Sequence, residues 1–132
     1  MNILFIILLG VLVNQDNSPL NTFKWKNRIL IIQQQEEFFQ TMKTKVKELK
    51  DRDMIIIHIQ DDHLYSFPQS LNLDSKEVTN YFGFEKNNSY VILIGKDGGI
   101  KLNKASTSCN EIFDLIDSMP MRQSEMRKKS GK

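Results

Sequence analysis

The sequence predicts an α/β domain with a four-stranded mixed sheet and helices on both faces of that sheet. Segment 90–102, YVILIGKDGGIKL, joins an apolar β-branched run to an alternating run through glycines, which is typical of a β-hairpin. Segment 54–59, MIIIHI, is apolar on both faces, so it indicates a strand covered on both sides. In segment 36–50 the apolar residues recur at helical spacing, which predicts an amphipathic helix.

The predicted elements alternate as β-α-β-α-β-β-α along the chain. They are residues 28–32, 36–50, 54–59, 74–83, 90–94, 100–102 and 108–120. Asp74 and Ser108 each begin a capping box, with a glutamate three residues later. Segment 60–72 is predicted to be a long loop. A helix links the first two strands, so they should be parallel with a right-handed crossover, and the complete arrangement is thioredoxin-like.

The chain divides into three predicted parts. Residues 3–13 form an unbroken apolar run, too short for the roughly 20 residues that cross a membrane but suited to a signal peptide. Polar residues follow this run at once, which favours a leader, with a buried first strand as the alternative. We therefore expect a signal peptide and linker at 1–18, a domain at 19–121 and a basic flexible tail at 122–132. The mature protein should be periplasmic or extracellular, without a stable membrane span.

Three motifs resemble a known family. They are FKWKNR at 23–28, VILIGKDGGIKL at 91–102, and FDLIDSMPMR at 113–122 with EMR at 125–127. The chain resembles, over about 20–128, the uncharacterised domain of short exported bacterial proteins and of the extracellular sushi-repeat-containing and coiled-coil-domain-containing-80 proteins. The resemblance implies a thioredoxin-like fold, export, a mostly unassigned function and, in the animal proteins, an adhesive or matrix role. It supplies no catalytic residues, and segment 33–37, QQQEE, is more polar than expected for that family.

The thioredoxin-like interpretation directs attention to the segment after the first strand. Redox members carry C-x-x-C there, at a helix N-terminus that lowers the pKa of the attacking thiol. Here residues 33–36 read QQQE, and Ser89 stands where redox members usually have a cis-proline. Disulfide exchange at this position is therefore excluded, and the sequence predicts no cofactor.

The single cysteine, Cys109, permits two interpretations. It follows Ser108 at a predicted helix start, where the dipole favours a thiolate, so the protein could be a thiol-dependent peroxide reductase or a redox sensor. The other interpretation makes Cys109 a small packing residue. The second is favoured because neither histidine nor another cysteine lies near it in the sequence.

Two histidines and two aspartates lie close together after the second strand. They are His58, Asp61, Asp62 and His63. Imidazole and carboxylate groups bind divalent metals, and open α/β sheets bind ligands at the carboxyl ends of their strands. A metal site or, less favoured, a hydrolase is one interpretation. A solvated acidic turn without metal is the preferred alternative.

Basic residues concentrate on the first predicted helix and in the tail. They are Lys43, Lys45, Lys47 and Lys50, with Arg122, Arg127, Lys128, Lys129 and Lys132. Such charges could meet a polyanion such as a glycan or a membrane surface, although a solvated helix face and a solubilising tail are the alternative. The net charge of +2 indicates no nucleic-acid partner. The leading hypothesis is an exported, non-catalytic binding or interaction module whose partner is an unknown protein or a polyanion.

Overall fold

The computed structural model describes residues 18–130 and contains a five-stranded mixed sheet. The strands are β1 (Arg28–Gln33), β2 (Met54–Gln60), β3 (His63–Phe67), β4 (Tyr90–Ile94) and β5 (Ile100–Lys104). Their spatial order is β3-β2-β1-β4-β5. Strand β1 pairs in parallel with β2 and antiparallel with β4, while β2–β3 and β4–β5 are antiparallel pairs. The predicted mixed α/β class is therefore confirmed.

Within residues 18–130, five α-helices and one short 3-10 helix, Asn21–Phe23, accompany the sheet. The α-helices are α1 (Glu36–Lys43), α2 (Val46–Asp51), α3 (Ser75–Phe82), α4 (Cys109–Asp117) and α5 (Pro120–Lys129). The helix predicted over 36–50 is interrupted, because Thr44 caps α1 and Lys45 leaves the helical region. The Thr44 hydroxyl donates to the Thr41 carbonyl at 2.6 Å, and such side-chain bonds compete with the helical ladder.

The sheet separates two apolar cores, since successive side chains of a strand point to opposite faces. On one face Leu30 and Ile56 pack with residues of α1, α2 and α4. On the other face Ile31 and Ile57 pack with Val78 of α3 and with the N-terminal segment. Helices therefore cover both faces, and β2 is buried on both sides, as its sequence predicts.

Strand β3 corrects the prediction of four strands and of a long loop over 60–72. It forms a hairpin with β2 in which Gln60 pairs with His63. The two turn residues, Asp61 and Asp62, have φ of 53° and 63°, the conformation of a type I′ turn. Aspartate tolerates this left-handed region better than most residues. The usual glycine is missing, so the turn pattern was not recognised in the sequence.

The C-terminal segment also differs from expectation. A flexible tail was predicted at 122–132, but its described part, through residue 130, belongs mainly to helix α5. Proline at the first position suits a helix start. Arg122 is only 2% exposed, and its guanidinium donates to Asp117 and Asp51 at 3.0 and 2.6 Å. These contacts attach α5 to the domain.

An ionic cluster lies at the end of the sheet where β1 and β2 begin. Arg28, 2% exposed, donates to both carboxylate oxygens of Glu125 at 3.1 and 3.3 Å. Lys96 donates to Glu125 at 2.7 Å and to Asp53 at 2.8 Å. Arg28, Lys96 and Glu125 come from the three motifs that carry the family resemblance. Those motifs are therefore joined in space by charge pairing.

Of the two glycines in the β4–β5 turn, Gly98 is needed more than Gly99, because of its backbone conformation. Gly98 has φ of +87°, while Gly99 lies outside the left-handed region. We expect Gly98→Val to lower the free energy of unfolding by about 1 kcal/mol or more, because a β-branched residue resists positive φ. Gly99→Val is the matched control and should cost less. Urea unfolding curves measure both, and equal losses would contradict this assignment.

The predicted signal peptide at 1–18 lies, apart from Ser18, outside the described residues. Within residues 18–130, no helix combines the length and apolar character needed to cross a membrane.

Candidate functional site

A cleft of about 430 Å³ lies between α1 and the β2–β3 hairpin. It is found toward the end of β2, away from the ionic cluster. Its lining includes the charged or polar residues Glu36, Lys43, His58, Gln60, Asp61 and His63, and the aromatic residues Phe39 and Tyr65. It has the size of pockets that bind small molecules, so we treat it as the candidate site.

The edge position of β3 produces this cleft. His58 of β2 lies opposite Tyr65 of β3, so both side chains point to the face that carries α1. The Phe39 ring of α1 stacks on the His58 ring with centroids 4.2 Å apart. Tyr65 remains 52% exposed. Helix α1 therefore covers β2 and leaves the surface of β3 accessible.

His58 presents a buried hydrogen-bond acceptor in the cleft. Its side chain is 1% exposed, and its Nε2 lies 2.7 Å from the Gln34 carbonyl oxygen. A carbonyl only accepts, so Nε2 carries the proton and Nδ1 holds a lone pair. Burial lowers the pKa of His58, against the opposing influence of the Gln34 carbonyl and Glu36. No group in residues 18–130 hydrogen-bonds to Nδ1.

Gln60 and Lys43 add two further groups without hydrogen-bond partners in the described chain. The Gln60 Oε1 atom is buried and lacks a hydrogen bond within the described chain. The Lys43 ammonium lies 5.2 Å from the Phe39 centroid and 5.7 Å from the Phe67 centroid, a cation–π arrangement. Among residues 18–130 it has neither a hydrogen bond nor an ion pair. The lining of the cleft thus combines two residues with buried, unpartnered acceptors, one ammonium without an ion pair, and the carboxylates of Glu36 and Asp61.

The four metal candidates are only partly brought together. His58, Asp61 and His63 line the cleft, whereas Asp62 faces Lys86 across an exposed ion pair of 3.4 Å. Within the described ranges, no group of three or more His, Cys, Asp and Glu residues is placed to hold a metal ion. Asp61 and Asp62 instead form the tip of the β2–β3 hairpin.

Cys109 lies apart from the cleft, at the start of α4. It is half-buried and packs against the core beneath α1, α2 and α4. Burial raises the pKa of the Cys109 thiol, although Lys45 acts in the opposite direction. A raised pKa reduces the thiolate fraction, and the thiolate is the nucleophilic form. The environment therefore favours the packing interpretation.

Thiol reactivity gives a direct check on Cys109. We expect its alkylation at neutral pH to be slow, with an apparent pKa above the ordinary value of about 8.5. The rate of iodoacetamide reaction against pH measures this pKa. The urea-unfolded chain is the control, and its thiol should titrate near the ordinary value. An apparent pKa below about 7, with turnover of hydrogen peroxide, would contradict the prediction and favour an enzyme.

The basic residues are less available than their number suggests. Arg122 is buried in ion pairs, and Lys129 donates to Asp51 at 2.8 Å. Lys47 and Lys50 are exposed on α2, whereas Lys43 is half-buried in the cleft. The basic residues predicted to meet a polyanion therefore lie in different environments: of these five, two are paired with carboxylates, two are exposed, and one lines the cleft.

Several residues of the cleft were not recognised as site residues in the sequence. The sequence places Tyr65 in a loop, and it groups Lys43 with lysines that could meet a polyanion or form a solvated helix face. The available signal was the alternation in HLYSF at 63–67, which indicates a half-buried strand. The contact of Lys43 with Phe67 depends on the tertiary fold and has no local sequence signal.

The fold and the cleft define a mixed α/β domain that carries one candidate ligand site at the edge of its sheet. The domain of unknown function DUF4174 matches residues 19–125. The chain belongs to this family, as the resemblance to an uncharacterised family predicted. No curated protein and no solved structure matches the chain.

Proposed function

We propose that this protein is an exported, non-catalytic, thioredoxin-like binding module that takes its ligand in the cleft between α1 and the β2–β3 hairpin. One observation carries the proposal. His58 and Gln60 line the cleft, and their acceptor atoms Nδ1 and Oε1 are buried and without partners in residues 18–130. A buried acceptor without a hydrogen bond costs about 1–3 kcal/mol, and a bound donor would remove that cost.

The strand order supports the thioredoxin-like part of the proposal. Strands β5-β4-β1-β2 follow one another in the sheet, and β3 is added beside β2. A parallel β1–helix–β2 unit is followed by α3 on the opposite face and by the β4–β5 hairpin. Helix α4 then packs on the face of α1. The three sequence motifs support the proposed relation to the extracellular sushi-repeat-containing and coiled-coil-domain-containing-80 proteins.

The residues around the cleft favour binding over catalysis. Segment 33–36, which precedes and begins α1, contains no sulfur. His58 could act as a base through Nδ1, but no hydroxyl or thiol among residues 18–130 is hydrogen-bonded to that atom. A histidine-activated nucleophile needs such a contact. Burial of the Cys109 thiol gives no support to a peroxide reductase.

Amide chemical-shift mapping with a library of small carboxylates, amines and amides tests the proposal. We expect at least one compound to shift the resonances of α1 and the β2–β3 hairpin together. Tyr65→Ala removes one wall of the cleft and should weaken that compound. The matched control is Trp25→Ala, since Trp25 is 63% exposed and lies outside the cleft. Shifts confined to other surfaces, or no shifts at all, would exclude the cleft as the site.

Export is tested separately at the N-terminus. The apolar run at 3–13 motivates it, and cleavage should leave an N-terminus between about residues 11 and 19. Mass spectrometry of the protein from its native source measures this end. Intact Met1 in the soluble cytosol would contradict export while leaving the binding proposal untouched.

A further inference from the structure

Resting on the proposed function, we infer that the cleft takes a small organic molecule that combines a carboxylate with an N–H or O–H donor. Amino acids and hydroxy acids have this chemistry. The inference follows from what the cleft offers: one unpaired ammonium, that of Lys43, and two unpartnered acceptors, on His58 and Gln60.

Lys43 selects the carboxylate. Its ammonium is held over the rings of Phe39 and Phe67, and it forms no ion pair with any described residue. The nearby carboxylate of Glu36 accepts a hydrogen bond of 2.5 Å from Gln40 instead. A ligand carboxylate would form charge-assisted hydrogen bonds with the Lys43 ammonium, in a cleft that the carboxylates of Glu36 and Asp61 also line. Such bonds are stronger in a partly apolar cleft than in water.

His58 and Gln60 select the donor. The His58 Nδ1 lone pair is fixed by the bond from Nε2 to Gln34, whereas the Gln60 amide carries an acceptor, Oε1, and a donor, Nε2. A ligand that brings acceptors alone would place lone pairs against Nδ1 of His58. Phosphates and simple carboxylates are therefore poor ligands for this part of the cleft. A ligand amine, amide or hydroxyl next to the carboxylate satisfies both requirements.

The size and walls of the cleft define the rest of the ligand. A cavity of about 430 Å³ suits a molecule of amino-acid size. Phe39 and Tyr65 form aromatic walls beside the polar groups. Aromatic side chains prefer offset-stacked or edge-to-face neighbours. We therefore choose a probe with a phenyl ring.

Three probes with one skeleton separate the two requirements. L-phenylalanine has both groups, 3-phenylpropionate lacks the amine, and 2-phenylethylamine lacks the carboxylate. We expect L-phenylalanine to bind tightest in amide-shift titrations of the whole protein. Each smaller probe should bind roughly 10- to 150-fold more weakly, since a hydrogen bond to a charged group is worth about 1.5–3 kcal/mol.

Two variants assign the groups to their residues. Lys43→Met keeps the apolar stem and should weaken L-phenylalanine and 3-phenylpropionate, while 2-phenylethylamine should bind no more weakly, because its ammonium loses a like-charged neighbour. Gln60→Met keeps a similar side-chain volume and removes the Oε1 acceptor. This variant should weaken the two amine probes only. Lys47→Met is the matched control, because Lys47 is exposed on α2 outside the cleft. It should change none of the three affinities.

The outcomes separate this inference from the proposed function. Equal binding of all three probes in the cleft would overturn the inference, as would tightest binding of 3-phenylpropionate. If none of the three probes shifts cleft resonances while another library compound does, the inference fails and the function stands. If no compound at all binds the cleft, both fail.

Discussion

Replacing Glu125 by Met should lower the free energy of unfolding by about 3 kcal/mol, near the lower end of the range for a broken buried ion pair. The change leaves Arg28 and Lys96 without their shared carboxylate, and these side chains are only 2% and 10% exposed. Lys96 keeps Asp53, which is why the larger values of that range are not expected. Urea unfolding followed by circular dichroism measures the difference.

Lys86→Met is the matched control for the ionic cluster. The Lys86–Asp62 pair is exposed on both sides, at 70% and 61%, and exposed pairs contribute about 0–1 kcal/mol. A Glu125→Met loss no larger than that of the control would show that the cluster is equivalent to a surface pair. It would also mean that charge pairing with Glu125 does not hold the three sequence motifs together.

The same cluster should make stability depend on acid pH. Burial alone would raise the pKa of Glu125, but hydrogen bonds from Lys96 and Arg28 outweigh it and the pKa is lowered. Hydrogen bonds from Lys129 and Arg122 lower the pKa of Asp51 to about 2. A carboxyl with a depressed folded pKa stabilises the protein above its unfolded value of about 4. That contribution is lost as pH falls through the folded value.

Unfolding free energy should therefore decline between about pH 5 and pH 2, with part of the decline due to Glu125. The Glu125→Met protein should show a shallower decline, because one of the coupled carboxyls is missing. Unfolding curves at several pH values measure both slopes. Parallel declines in the two proteins would indicate that Glu125 does not contribute.

The second large effect concerns β2. Ile56→Ala and Ile57→Ala should each lower the free energy of unfolding by about 2–5 kcal/mol, because each leaves a cavity in a packed core. Both side chains are 0% exposed, yet they lie in different cores on opposite faces of the sheet. The pair therefore tests whether helices cover both faces.

Ile100→Ala provides the comparison, since Ile100 on the edge strand β5 is 53% exposed. Its cost should be under about 1 kcal/mol, because little apolar area leaves water at that position on folding. Urea unfolding measures all three variants. If one of the two β2 variants cost no more than Ile100→Ala, one face of the sheet would be less well covered than the structure indicates.

Periodicity alone was enough to predict the buried strands and the amphipathic helices. Segment 54–59 is apolar at every position except His58, and a strand of that composition requires cover on both faces. The β4–β5 hairpin was equally predictable, because Gly98 supplies the positive φ of the turn. These features depend on neighbours in the sequence.

Strand β3 and helix α5 were not predictable on the same basis. The Asp61–Asp62 turn has no glycine, so the local signal for a hairpin is weak. Helix α5 is strongly basic, and its attachment depends on Asp51 and on Arg28, which lie far from it in the chain. Long-range ion pairs have no periodic signal in the sequence.

The candidate site also has some features that the sequence determines and others that only the tertiary structure determines. By itself, the sequence determined strands β1, β2, β4 and β5 and the absence of a C-x-x-C pair, and it placed His58 at the end of a buried strand. Only the tertiary structure determined that Nε2 of His58 bonds to Gln34 and that Nδ1 is left without a partner. It also decided that Lys43 lies in the cleft, over Phe67. The reason is physical: burial and pairing arise from contacts between distant segments, whereas strands and helices follow from the order of nearby residues.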